Sequence, residues 1–356
     1  MAPKYKWRRV KVITVTGGKG GVGKSSVSLN LAVSLCQMGK HVMLFDADLG
    51  LANIDVMLGL KVRKNLAHVL RGECTLQEII QDGPEGLRIV PASSGLKEMA
   101  ELSIDQHAGL IRAFSSLEEP VDFLIVDTAA GISDMVLSFC RAAQDVIMVV
   151  CNESTSVADA YAQMKVLSND YGVSKFRIVA NQVHSLEEGK FMFKKLVTLT
   201  DKFLDVALEL CACIPIDINM RKAIRQRTCV VDAFPQAPAA RAFKSLGRRV
   251  LNWPIPDIAG GYLEFFVENL IRRPDEHGNL PELPQTPDFD ISQGSGLEPP
   301  ASIGSQLGLQ LDGDINFKEG QIAIDEDDEE IADQFANVRE DAIANGLIDP
   351  EDEPAR

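Results

Sequence analysis

GGKGGVGKSS, residues Gly17 to Ser26, is the stretch on which the fold turns. Gly18, four intervening residues, Gly23, Lys24 and Ser25 fit the pattern G-x-x-x-x-G-K-[ST]. Glycines at these positions let successive backbone N–H groups turn inward around a phosphate with no Cβ in the way. Lys24 then reaches the outer phosphate oxygens, and the Ser25 hydroxyl is placed to ligate Mg²⁺. The flanks agree with that reading. VKVITVT (Val10 to Thr16) reads as a buried strand. Ser25 to Met38 places Val27, Leu31, Leu35 and Met38 on one helical stripe, with Gly39 as C-cap. The helix N-terminus therefore aims its positive dipole end at the phosphates.

Two further apolar runs end in acidic residues. HVMLFDADLG (His41 to Gly50) carries Asp46 and Asp48, and DFLIVDTAAG (Asp122 to Gly131) carries Asp127. Open α/β sheets place ligand sites at the carboxyl ends of their strands; a helix cap or a turn would also use Asp there. The spacing predicts strands at 10–16, 41–46, 88–91, 122–127, 145–151, 176–180 and 208–214, with helices between most of them. That order implies a doubly wound, mainly parallel α/β sheet with helices on both faces.

Composition sets outer limits. The chain has 356 residues, 46% of them hydrophobic, enough for a sizeable core. No apolar run approaches the length of a spanning helix. The basic start MAPKYKWRR lacks the apolar stretch of a secretory signal. Seven cysteines without a C-x-x-C pair fit a reduced, cytoplasmic protein, and five scattered histidines lack metal-ligand spacing. Cys211 and Cys213 in LELCACIP are expected on the same side of one strand, as small core residues. Charge divides the chain: from Pro274 onward there are 22 acidic and 3 basic residues, which leaves 29 and 33 for residues 1 to 273. The expected organisation is a basic arm at 1–9, a catalytic domain at 10–258, an amphipathic helix at 259–273 and an acidic, largely disordered tail at 274–356. Within the tail, 307–317 alternates like a hairpin. Residues 327–346 place Ile331, Phe335, Val338 and Ala342 on one stripe, a short helix suited to docking on a partner or on the basic core.

K-G-G-V-G-K-S-S resembles the deviant phosphate-binding loop of the MinD/ParA class of P-loop ATPases. The resemblance implies ATP and Mg²⁺ as cofactors, with Gly18, Gly20, Gly21, Val22, Gly23, Lys24, Ser25 and Ser26 around the nucleotide. It implies an ATP-dependent homodimer in which Lys19 crosses to the partner's nucleotide, as an arginine finger does. By the same carry-over Asp48 orients the attacking water, Asp46 supports the Mg²⁺ shell, and Asp127 binds Mg²⁺ through water. Asn181 at the end of FRIVAN matches the residue that reads the adenine edge. Pro215 and Asp217 of Ile214-Pro215-Ile216-Asp217 match the loop beside the base; a turn-forming Asn and an N-capping Asp would look the same. YLEFFVENLIRR, with Leu263, Phe266, Val267, Leu270 and Ile271 at helical spacing, matches the helix by which MinD-like proteins bind anionic inner membrane; an ordinary core helix shares the pattern.

ADLGLANIDVMLGL, RIVPASSG, the stretch from Val126 to Lys165 and GYLEFFVENLIRR together resemble the flagellar-number regulators FleN and FlhG. What that branch implies is an ATP-controlled switch limiting flagellar number, peripheral on the inner membrane at the pole, restraining a FleQ-like transcriptional activator and acting with the FlhF GTPase. Residues 1–9 lack the D-Q-A-x-x-L-R segment by which some relatives stimulate FlhF. Three other readings share the fold: a MinD-type division-site ATPase, a ParA-type partition ATPase that binds DNA directly, and an iron–sulfur carrier, which the missing C-x-x-C disfavours. Direct DNA binding is not expected of the favoured reading.

Overall fold

The computed structural model describes residues 10–48, 54–91, 113–114, 117 and 120–254. The arm at 1–9, the helix expected at 259–273 and the whole acidic tail, including 307–317 and 327–346, lie outside the described residues. Eight strands form one sheet: β1 (Lys11–Thr16), β2 (Val42–Ala47), β3 (Gln81–Asp82), β4 (Arg88–Pro91), β5 (Phe123–Thr128), β6 (Asp145–Val150), β7 (Lys175–Val183) and β8 (Ala207–Pro215). Their order is β3-β4-β2-β5-β1-β6-β7-β8, parallel throughout except for β3 against β4. The short β3 is the one strand that sequence spacing did not anticipate.

Ten α-helices are described: α1 (Lys24–Gln37), α2 (Ile54–Leu58), α3 (Leu66–Leu70), α4 (Leu76–Ile79), α5 (Asp134–Ala142), α6 (Ser154–Tyr171), α7 (Leu186–Phe203), α8 (Ile218–Arg225), α9 (Val230–Ala233) and α10 (Pro238–Leu251). Alternation along each strand sends side chains to opposite faces. Ile13, Val15, Leu44, Ile125, Ile147 and Val149 join α1 and α10 in one core. Val12, Met43, Phe45 and Leu124 meet α3, α4 and α5 on the other face, and Val146, Met148 and Ile178 meet α5, α6 and α7 there. A parallel sheet needs both faces covered, which is why its strands read as unbroken apolar runs. Helix α1 is packed between the sheet and α10, so its buried side is wider than one stripe: Leu29, Ala32 and Val33 are as inaccessible as Val27, Leu31 and Leu35.

Strand β8 corrects one expectation. Cys211 and Cys213 were expected on one side, but they belong to opposite cores, Cys211 with α1 and α10 and Cys213 with α6 and α7. The pairing with β7 slips between Ile178 and Val179, where Leu210 and Ala212 are the successive partners and Cys211 is the extra residue. Such a bulge breaks the two-residue alternation. Both thiols are core residues, as expected, and burial pushes Cys211 up to about 12.

The start of the sheet carries a buried charge cluster. Lys11 on β1 contacts Asp145 on β6 at 2.6 Å and donates to the Pro254 carbonyl at 2.6 Å. Arg177 on β7 contacts the same carboxylate at 3.0 Å, pairs with Glu209 of β8, and lies 4.1 Å from the centroid of the Trp253 ring. The chain leaving α10 is thus pinned beneath the sheet, at the opposite strand ends from the glycine-rich loop.

Candidate nucleotide site

β1 is central, with β5 on one side and β6 on the other, so successive connections leave it in opposite directions. A doubly wound sheet opens a crevice at that switch point, at the carboxyl ends of the strands. Gly17 to Gly23 fills this place. Two glycines there are required by geometry. A Cβ on Gly18 would sit 2.3 Å from the Asp159 carbonyl carbon in α6, and Gly23 has φ 93°, where a Cβ would also meet the Asn181 amide nitrogen at 2.3 Å. Gly23 is the N-cap of α1 and no side chain caps that helix. Its first N–H groups are therefore left for an anion, with the helix dipole behind them.

Lys24 is buried at the loop's edge, its Nζ 3.4 Å from the Lys19 carbonyl. Burial lowers its pKa, and the charges of Asp127 and Asp48 work against that shift. Asp46 and Asp127 are direct partners in the register of β2 and β5, so the parallel sheet holds the two carboxylates side by side. Both are buried. Burial, then the neighbouring Asp127 charge, raises Asp46 to about 7; the Asp48 and Ile54 amides, each 3.4 Å away, oppose this. Burial raises Asp127 to about 6, against the Ser25 and Ser28 hydroxyls and Lys24. Ser28 donates to Asp127 Oδ1 at 2.8 Å, and Asp127 Oδ2 has no hydrogen-bond partner among the described residues. An orphaned carboxylate oxygen, two adjacent acids and a serine hydroxyl make a hard-oxygen set that suits Mg²⁺. Asp48 is half-buried at the end of β2, and its charge acts on both Lys24 and Asp127.

Lys19 stands at the exposed rim. It pairs with Glu153 and donates to Thr155 Oγ1 at 2.9 Å, at the start of α6, so the single chain holds in cis the lysine that the resemblance sends to a partner. Its pKa is raised, first by the Glu153 hydrogen bond. Asn181 donates its amide to the Val22 carbonyl at 2.8 Å, and Gln182 donates to the Gly21 carbonyl at 3.3 Å. Two consecutive side-chain amides at the end of β7 therefore brace the loop. Gln182 reaches it from φ 58°, in the register shift between Asn181 and Val183. Sequence reading singled out Asn181 for a base contact and missed Gln182, Glu153 and Thr155; the consecutive Asn-Gln at a strand end was the available signal. Pro215 closes β8, and Asp217 uses both oxygens on backbone: one accepts from Asn219 N at 2.8 Å to cap α8, the other from Ala239 N at 3.1 Å at the start of α10. The structural alternative for Asp217, an N-cap, is what its geometry performs.

This arrangement, a braced loop with a buried lysine over paired acids, agrees with the comparisons to known proteins. The ParA family model, described as NUBPL iron-transfer P-loop NTPase, matches residues 9–251. The chain is a ParA/MinD-type P-loop ATPase. Within that family it is 54% identical to the antiactivator FleN of Pseudomonas aeruginosa over 265 residues, 74% of this chain and 95% of that protein. It is 36% identical to the flagellum site-determining protein YlxH of Helicobacter pylori over 222 residues, 61% of this chain and 74% of YlxH. In the MinC:MinD cell division protein complex of Aquifex aeolicus, the matching chain has a TM-score of 0.55 and 26% identity, covering 69% of this chain and 97% of that one. Among the described residues of this ATPase, no helix is long and apolar enough to cross a membrane.

Proposed function

We propose that this ATPase is an ATP-dependent dimerising switch that limits the number or placement of flagella. The observation that carries the reading is the 54% identity to FleN across 95% of that protein's length; the name of YlxH, a flagellum site-determining protein, points the same way. In this reading Mg²⁺ is held by Ser25 and Asp127 with Asp46 behind them, and a MinD complexed with Mg-ADP from Pyrococcus horikoshii, 25% identical with a TM-score of 0.53, supports that cofactor. Mg²⁺ supplies charge neutralisation between the outer phosphates. Lys24 binds those phosphates, Asp48 orients water, and Asn181 turns its free amide oxygen toward the base while its NH₂ braces the loop. Lys19 leaves Glu153 for the nucleotide of a second subunit. Hydrolysis is slow, because the bound dimer is the signal and hydrolysis is its timer. The partners are a FleQ-like transcriptional activator and an FlhF-like GTPase, and helix 259–273 attaches the dimer peripherally to anionic inner membrane near the pole.

Counting flagella per cell by electron microscopy, after deleting the gene in its native host, tests the reading. More flagella than the parent, restored by wild type and not by Lys24→Ala, is the expected result. An unchanged count with minicells or lost chromosomes would transfer the protein to a division or partition role.

A further inference from the structure

Helix α8 is attached to the domain by little of its own surface. Ala223 is its one buried residue, and Asp217 fixes its N-terminus to both α8 and α10. Ile218, Arg221, Lys222 and Arg225 fall at i, i+3, i+4 and i+7, one stripe of the helix. Ile218 is 48% and Ile224 40% exposed, and Arg227 continues the charge beyond the last turn. Residues 218–227 hold four cations and no anion, and none of the four forms an ion pair among the described residues. An exposed stripe that is purely cationic and carries one exposed apolar residue, Ile218, suits an acidic segment with an apolar side.

We propose that the occupant is residues 327–346 of the same chain, docked on the outer face of α8. That segment begins Asp-Asp-Glu-Glu at 327–330, and its apolar stripe is Ile331, Phe335, Val338 and Ala342. It holds seven acids and one arginine, the complement of α8. As a helix it would carry its acidic cluster in the first turn, where the dipole favours it. Reach is sufficient: the 72 residues from 255 to 326, taken as a coil, span roughly 45 Å, while a domain of about 245 residues has a radius of gyration near 18 Å (~). The exposed face of α7, with Phe191 and Phe203 beside Lys195 and Lys202, is the weaker match because Glu187 and Asp201 share it. Since α8 touches α2, an occupied α8 would cover the surface beside α2.

Hydrogen–deuterium exchange of the full-length protein tests it. An intramolecular segment sees an effective concentration of about 1 mM, so even an affinity of about 100 µM would leave it docked about nine-tenths of the time and slow exchange at the site about tenfold. We expect slow exchange at 218–227 at low ionic strength, lost at about 0.5 M salt. The same loss is expected in Asp327→Lys/Asp328→Lys/Glu329→Lys/Glu330→Lys and in Arg221→Glu/Lys222→Glu/Arg225→Glu. Combining the two charge reversals should restore slow exchange. Equal exchange in wild type and the tail variant at both ionic strengths overturns the proposal. So does protection that moves to 190–203, that vanishes on nuclease treatment, or that rises with protein concentration, the last of which would make the occupant another copy's tail.

Discussion

Asp145→Asn is the most informative single change away from the nucleotide site, because it removes one charge and almost no shape. Asp145, Lys11 and Arg177 are 9%, 1% and 3% exposed, and the carboxylate holds the two cations at 2.6 Å and 3.0 Å. At an effective dielectric near 20, each contact of about 3 Å carries roughly 5 kcal/mol of attraction, most of it offset by the desolvation of the ions. With the anion gone, Lys11 keeps the Pro254 carbonyl, and Arg177 keeps half-exposed Glu209 and the Trp253 ring. Leaving buried cations short of a counter-ion costs about 3–5 kcal/mol. For a domain of this size that lowers Tm by roughly 6–20 °C. Urea unfolding followed by tryptophan fluorescence measures the loss, with Lys11→Met/Asp145→Leu as the control that removes the anion and one of its two cations, leaving Arg177 with Glu209. The control should lose less than Asp145→Asn, since no lysine charge is then stranded. The KM for ATP should stay unchanged in both, because the cluster lies at the far ends of the strands. A loss under about 1 kcal/mol in Asp145→Asn, the value of an exposed pair, would show that the cluster is hydrated and refute the reasoning.

Gly18→Ala puts a Cβ 2.3 Å from backbone in α6, so the loop must shift; we expect about 1–3 kcal/mol of lost stability and a larger loss of nucleotide affinity, read by urea unfolding and by titration with a fluorescent ATP analogue. Lys24→Ala, which removes a charge-assisted phosphate contact, should weaken ATP binding by about 10- to 150-fold in the same titration. In saturating ATP, Asp48→Ala should elute as a stable dimer on size exclusion; a monomer would remove Asp48 from its role. Asp46 and Asp127 rise to about 7 and about 6 in the fold, from 3.8 for a free aspartate. Between those values the unfolded chain has ionised and the folded chain resists, so the metal-free protein loses this part of its stability as pH rises from about 4 to about 7. Asp46→Asn should therefore stabilise the metal-free protein at pH ~8, by at most about 4 kcal/mol, and make little difference at pH ~4; equal effects at both would contradict the assignment.

The main architecture was legible because a parallel sheet covered on both faces needs strands that are apolar on both sides, and Val10 to Thr16, Phe123 to Thr128 and Asp145 to Val150 are mostly β-branched and apolar, with their charged residues near the strand ends. The Gly18 to Ser25 spacing placed the site. What the sequence concealed was decided by contacts between distant segments. The two-residue β3 is too short for any periodicity, and the bulge at Cys211 follows from its pairing with β7. The grip of Glu153 on Lys19 spans 134 positions, and the bracing of Val22 by Asn181 spans 159. Asp217 was legible as a residue at a strand end, yet its second cap, on Ala239, could be seen only once α8 and α10 lay together.

The pairing of Asp46 with Asp127 bears directly on the switch proposed above. The register of β2 and β5 places two acids side by side, buried, with one oxygen of Asp127 unmatched. The Asp127 charge disfavours ionisation of Asp46, and Lys24, whose charge acts on Asp127, is itself held below its usual range by burial. The site therefore carries an electrostatic cost that the protein's own side chains leave only partly relieved. Mg²⁺ with a triphosphate would meet all three needs together: positive charge for the acids, negative charge for Lys24 and an anion for the uncapped start of α1. Ligand binding then stabilises the loop, Asp48 and the Asn181–Gln182 brace as one unit, by an amount set by mass action. Sequences that relieved the cost internally, for instance by replacing one acid with an amide, would gain stability and lose the coupling between bound nucleotide and the state of the loop.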